Sequence, residues 1–342
     1  MKAMLLDKIV NVEKGGSPLR LGDVDVPNLA DGEVLIRVKA CGVCHTDLDE
    51  VEGRTPPHRF PAILGHQVVG EVVTTGYDVH RWQPADRVGV AWIGYSCGEC
   101  EFCTSGHENL CSEFQATGRD RNGGYAEYMT ARSECVFSIP PNYTDSQAAP
   151  LLCAGAIGYR SLRLTELHDG QRLGLMGYGA SAQQVMMLAK HLLPKSEVMA
   201  FARDKIGQAL AIEHGASWAG GITDRPPKQL DAIIDTTPVW YTVLAALEYL
   251  RPGGKLVINA IRKEDRDKEA LLQLDYAKHL WLEKHVKSVA NVTKADVADY
   301  LQFASRFRVA SEVEEYPLCD ANRALERLKF APVIGPKVLV VP

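Results

Sequence analysis

The chain has 342 residues, 46% of them hydrophobic and 24% charged, with a formal net charge of −5. These are globular values that exclude a disordered, collagenous or coiled-coil protein, and the length suggests about two domains of roughly 150 residues. The acidic balance argues against nucleic acid or an anionic membrane as partner, and no apolar run approaches the roughly 18 residues of a membrane span.

The start, Met1 to Asp7, reads as a first strand rather than a secretion signal. Glu33–Val38, Val68–Val73 and Arg87–Ala91 are short Val/Ile-rich runs broken by Gly, Pro and Asp, which predict an irregular β-rich domain. From about residue 155 the pattern changes to strand–helix alternation. Arg172–Met176, Glu197–Phe201, Leu230–Ile234 and Lys255–Ile258 read as strands. Ser181–Leu192, Lys205–His214 and Val239–Leu250 read as helices, the last ended by a turn at Pro252-Gly253-Gly254. Such alternation implies a doubly wound parallel sheet. A helix over Lys294–Arg306 and a strand over Lys337–Val341 follow. The expected fold is α/β: a β-rich catalytic domain over 1–154 and 291–342, interrupted by a Rossmann cofactor-binding domain over 155–290.

Nine cysteines, an odd number in an acidic chain without a signal, point to a reducing cytoplasm rather than a disulfide framework. Four of them, Cys97, Cys100, Cys103 and Cys111, fall within fifteen residues in a CxxCxxCx7C pattern. Four thiolates can close a tetrahedral shell around Zn²⁺ and leave no position for substrate, so the lobe over 95–113 reads as a structural zinc site. A nucleic-acid ribbon is disfavoured, because the lobe carries Glu99, Glu101 and Glu108 and almost no basic residue.

A sparser set, Cys44, His66 and Cys153, comes from three separated segments. Two thiolates and one neutral imidazole make an open zinc site whose remaining position is free for substrate. Farther on, Gly177-Tyr178-Gly179-Ala180-Ser181-Ala182 follows a predicted strand and opens a predicted helix. In that context the first glycine serves the turn, the second lets backbone approach a pyrophosphate, and a small third residue lets the helix pack.

These motifs, in order along the whole chain, resemble the medium-chain zinc-dependent alcohol dehydrogenases, microbial type. The resemblance is carried by Cys41-Gly42-Val43-Cys44-His45-Thr46-Asp47, Gly65-His66, the four-cysteine lobe, Asp86-Arg87-Val88-Gly89, Gly123-Gly124-Tyr125 and Cys153-Ala154-Gly155. It implies a GroES-like β domain beside the Rossmann domain. It also implies reversible hydride transfer between a primary alcohol/aldehyde pair and NADP(H) or NAD(H), two zinc ions per chain, and a homo-oligomer, tetramer over dimer. Polyol and formaldehyde dehydrogenases of the same superfamily, or a catalytically silent zinc- and nucleotide-binding protein, are the alternatives.

The family pattern makes Cys44, His66 and Cys153 the catalytic ligands and leaves Cys41 packed behind them. Asp47 would orient a ligand, Thr46 would take the alcohol's proton, and His45 would lie near the cofactor pyrophosphate. Lys337 falls where the family has a basic pyrophosphate contact, and Trp92 where microbial relatives present an indole to the substrate pocket. Two positions depart from the commonest pattern: Gln67 replaces the glutamate after the zinc histidine, and Asp49 stands where many members end the proton relay with histidine. NAD-preferring members place an acid at the end of the second Rossmann strand. Here that slot is Ala202, followed by Arg203 and, two residues on, Lys205, which points to NADP(H).

Overall fold

The computed structural model describes residues 1–309, 312–331 and 335–342. The chain divides into two compact units, one made of Met1–Ala156 with Asn291–Pro342 and the other of Ile157–Ala290.

The first unit is built on a seven-stranded sheet. Its central strand, Glu33–Val43, is 11 residues long and pairs antiparallel with Val68–Thr75, Tyr128–Arg132 and Lys337–Val340. The sheet order runs Glu314–Pro317, Lys337–Val340, Glu33–Val43, Val68–Thr75, Arg87–Val90, Val136–Ser138. Thus the last strand of the chain closes onto the first unit. Alternate apolar residues of the central strand, Val34, Ile36 and Val38, are fully buried and join Leu6, Leu64, Val68 and Tyr125 in one core. That is the period-two burial expected of a strand with one buried face.

The second unit is a six-stranded parallel sheet. Its order is Trp218–Gly220, Glu197–Phe201, Arg172–Met176, Leu230–Asp235, Leu250–Ile258, His285–Ser288. The inner strands read as continuous apolar runs because helices cover both faces of such a sheet. The helix Ala180–Leu192 buries Ala182, Val185, Met186 and Ala189, spaced three and four residues apart on one face.

One turn differs from expectation. The helix of this region spans Tyr241–Tyr249, and the strand already begins at Leu250 and runs through Pro252-Gly253-Gly254. Leu250 pairs with Leu230 and Lys255 with Ala232, so the intervening residues are accommodated as a bulge. Gly253 has φ +70°, and its N–H donates to the Leu282 carbonyl at 2.8 Å. The prolyl-glycyl segment therefore bends the strand instead of separating it from the helix. No helix among the described residues is long and apolar enough to cross a membrane.

Candidate functional site

All three residues of the sparse cysteine–histidine set lie in the first unit. Cys44 follows the central strand and caps the helix His45–Val51. His66 follows Gly65, whose φ is +97° and where a β-carbon would come within 2.4 Å of the Tyr125 ring and 2.7 Å of Cys41 Sγ. Only glycine permits that approach, so the histidine is delivered from a tightly constrained turn. Cys153 ends the turn Ala149–Leu152. One ligand atom from each of the three lies within 4.8 Å of the others. Cys44 Sγ is 3.4 Å from His66 Nε2. Ligands at about 2.3 and 2.0 Å from one tetrahedral ion would be about 3.5 Å apart, so the donor set fits Zn²⁺.

Asp47 is fully buried and does two things. One carboxylate oxygen accepts the Cys44 backbone N–H at 2.7 Å, closing a capping box at the start of the helix. The other lies 3.6 Å from His66 Nδ1. Burial pushes the His66 imidazole down, but the charges of Cys44 and Asp47 more than reverse it. Hydrogen bonding to Cys153 and then burial push the Cys44 thiol well up. A divalent cation reverses that balance by pairing the thiolates. Cys41 is fully buried in the core behind Gly65.

The other expected residues fall as follows. His45 is exposed and Thr46 half-buried at the start of the helix. The Asp49 carboxylate is taken by the Arg54 guanidinium, which also reaches Glu52 at 2.6 Å. Trp92 is 8% exposed; its ring lies 5.3 Å from Phe114 and under the Arg119 guanidinium at 5.1 Å. Lys337 differs from expectation. It is 2% exposed, and its ammonium donates to Glu314 Oε1 at 3.0 Å and the Gly335 carbonyl at 3.1 Å. Its charge is neutralised inside its own unit, so a pyrophosphate contact would require breaking that pair.

In the lobe, the four cysteines bring ligand atoms within 4.8 Å of one another. Sγ of Cys97 is 3.8 Å from that of Cys103 and 3.5 Å from that of Cys111. Backbone N–H groups of Cys100, Cys97 and Glu113 point at these sulfurs at 3.4 to 3.5 Å. Donors of this kind stabilise thiolates, and those of Glu99 and Cys100 help hold the Cys97 thiol at about 7. Glu108 accepts the Lys294 N–H at 2.7 Å, tying the lobe to the helix Lys294–Arg306.

In the second unit, Gly177 closes the strand Arg172–Met176 with φ +84°, and a β-carbon there would meet Thr236 and Thr237 side chains at 2.8 and 2.9 Å. Gly179 caps the helix Ala180–Leu192 without a side-chain hydrogen bond, and nothing lies within 4 Å of where its β-carbon would be. Ala182 is fully buried. The loop thus offers an open helix N-terminus suited to a pyrophosphate. At the end of the next strand Ala202 is buried and Arg203 exposed. Asp204 is turned away to cap its own helix, accepting from the Gly207 N–H at 2.8 Å, and Lys205 reaches Gln208 at 2.9 Å.

Residues 30–141 match the family model for the alcohol dehydrogenase GroES-like domain. A protein described as a probable alcohol dehydrogenase from Mycobacterium tuberculosis is 42% identical over 95% of this chain and 93% of its own length. An alcohol dehydrogenase from Geobacillus stearothermophilus is 32% identical over 98% of this chain and 99% of its own. A cinnamyl alcohol dehydrogenase from Sorghum bicolor superposes with a TM-score of 0.85 at 25% identity, covering 99% of this chain and 97% of that one. The chain belongs to the medium-chain zinc-dependent alcohol dehydrogenase family. Its activity is that of an alcohol dehydrogenase.

Proposed function

We propose that the enzyme carries two zinc ions per chain, a catalytic one on Cys44, His66 and Cys153 and a structural one on Cys97, Cys100, Cys103 and Cys111. The observation that carries this reading is the convergence of three donor atoms from three separate segments, one short of a tetrahedral shell. When bound there, zinc supplies Lewis-acid polarisation of the substrate oxygen, while the nicotinamide carries the hydride. The residues do the rest. Asp47 orients the His66 ring. Thr46 Oγ1 accepts the alcohol's proton in oxidation and returns it in reduction. His45, exposed, passes that proton to solvent, since Asp49 is engaged by Arg54. A primary alcohol thus loses a hydride to the oxidised cofactor and a proton through Thr46, giving the aldehyde.

In this reading 1–154 with 291–342 is the catalytic domain and 155–290 holds the cofactor through Gly177, Gly179, Ala180 and Ala182. Ala202 leaves the ribose slot without a carboxylate, so Arg203 and Lys205 favour NADP(H). Trp92 forms a rigid wall of the substrate pocket. The exposed edge strand His285–Ser288, with Trp281 and Leu282 exposed beside it, supports association of copies, which we assign as a tetramer in the cytoplasm. Elemental analysis combined with cofactor absorbance during alcohol oxidation tests the core of the reading. Two zinc ions per chain, and Cys44→Ala inactive with one ion lost, are expected. Full turnover in Cys44→Ala would refute it.

A further inference from the structure

Behind Cys44 and His66 is a group of buried polar atoms with no hydrogen-bond partner among the described residues: Asp47 Oδ1, both carboxylate oxygens of Glu50, His66 Nδ1, Gln67 Nε2, Trp92 Nε1 and the Tyr125 hydroxyl. Buried polar atoms are nearly always satisfied, so such a concentration needs a cause.

Glu50 is the outstanding member. It is fully buried, three residues after Asp47 on the helix that Cys44 caps, so the two carboxylates share one helix face. Burial and then the Asp47 carboxylate push its carboxyl well up, opposed by His66, the Trp92 indole N–H and the Arg119 guanidinium. Arg119 is already bound to Asp120 through two hydrogen bonds, at 2.9 and 2.7 Å. An ionised carboxylate without partners is costly in a protein interior unless an opposite charge stands nearby. Next to the ligand His66, Gln67 is neutral; its side chain lies over Gly42, where a β-carbon would come within 2.7 Å of Gln67 Oε1. The position beside the histidine therefore offers no carboxylate, and the helix position offers one.

We propose that Glu50 is the buried anion that balances a divalent cation on Cys44, His66 and Cys153, a role that Gln67 leaves unfilled. Glu50 is a positioning residue: it acts through the centre and its ligands, without touching substrate. The proposal rests on the assignment of zinc to those three residues.

The test measures zinc affinity by competition with a chromophoric chelator in wild type, Glu50→Gln, Gln67→Glu and the double variant, with Cys44→Ala marking which ion is read. Second-sphere partners are commonly worth 10–100-fold in metal affinity, so Glu50→Gln should weaken the Cys44-dependent ion by about tenfold or more. The double variant, which restores one carboxylate from the neighbouring position, should recover most of that loss. Glu50→Gln with unchanged affinity, or a double variant no better than Glu50→Gln, would overturn the proposal. A merely structural glutamate would not be rescued by a carboxylate elsewhere. If Glu50→Gln alone did not fold, a folded, zinc-binding double variant supports the proposal and an unfolded one overturns it. Wild type with no Cys44-dependent ion removes the zinc assignment itself; two ions with Glu50→Gln unchanged removes only the role of Glu50.

Discussion

Asp47 Oδ1 stands 3.6 Å from His66 Nδ1, with both side chains fully buried, while the other oxygen of the same carboxylate holds the backbone N–H of Cys44. One side chain thus fixes two candidate ligands. It caps the helix that starts at one and sets a carboxylate beside the imidazole of the other. Asp47→Asn keeps an oxygen for the cap but removes the anion facing the imidazole. We expect zinc affinity at this centre to fall about 10–100-fold with the fold kept. Dialysis against a weak chelator followed by elemental analysis reads it; retention equal to wild type would contradict an orienting role.

The cysteine lobe should respond differently. Its four sulfurs lie within 4.8 Å of one another, and the N–H groups of Cys97, Cys100 and Glu113 that point at them belong to the lobe itself. Cys100→Ala should lose one zinc ion and lower unfolding stability by several kcal/mol, since structural zinc contributes folding energy. Cys44→Ala should lose the other ion and all turnover with only a small change in melting temperature. Equal destabilisation by both would argue that the two centres are not functionally distinct.

The two groups of cysteine and histidine that the fold brings together, the glycine turn and the alternation of the second unit were legible in the sequence, because each rests on residue types and motifs that a chain presents directly. Glu50 was not. It sits among acidic residues in Asp47-Leu48-Asp49-Glu50, and nothing in that string distinguishes the exposed-looking acid from one that is 0% exposed. Only the fold, in which Glu50 shares a helix face with the buried Asp47, reveals the burial. The partner of Lys337 was hidden for a different reason: a basic residue on the last strand looks available, but Glu314, 23 residues earlier, pairs with it across two parallel strands. The bulge at Pro252-Gly253-Gly254 was also hidden, since prolyl-glycyl sequences mark turns whether or not a strand continues through them.

Asp231 gives the second unit an acid-sensitive contact. Burial pushes its carboxyl up, but the Arg172 N–H and the Arg251 and Arg172 guanidinium groups outweigh that and hold it below its usual range. The Arg172 N–H donates at 2.8 Å, its Nε at 3.2 Å, and Arg251 forms a further ion pair. A carboxyl whose folded pKa is depressed stabilises the fold above its unfolded value of about 3.9, and that contribution is lost as pH falls through the folded value. Asp231→Asn should cost about 1–3 kcal/mol at neutral pH. Its stability should then fall less steeply than wild type below about pH 4. Denaturant unfolding across that range checks both; parallel pH profiles would exclude the contact as a source of acid sensitivity.

The proposed preference for NADP(H) is testable at the end of the strand Glu197–Phe201. The ribose slot holds Ala202, which is buried and has no group to bond ribose hydroxyls or repel a 2′-phosphate. Asp204, two residues on, is occupied as the cap of the helix Lys205–Glu213. Arg203 is exposed beside the slot. A guanidinium can hold a phosphate bidentately, which favours NADP(H). Arg203→Ala should therefore reduce kcat/KM for NADP by about tenfold or more, the equivalent of about 1.4 kcal/mol or more of lost transition-state binding, and change that for NAD little. Ala202→Asp should lower the NADP value and raise the NAD value, because the new carboxylate repels the phosphate and accepts from the ribose. Steady-state kinetics with both cofactors, in wild type and the two variants, decides. A wild type that already prefers NAD, or a preference ratio that neither substitution moves, would rule out Arg203 as the phosphate contact.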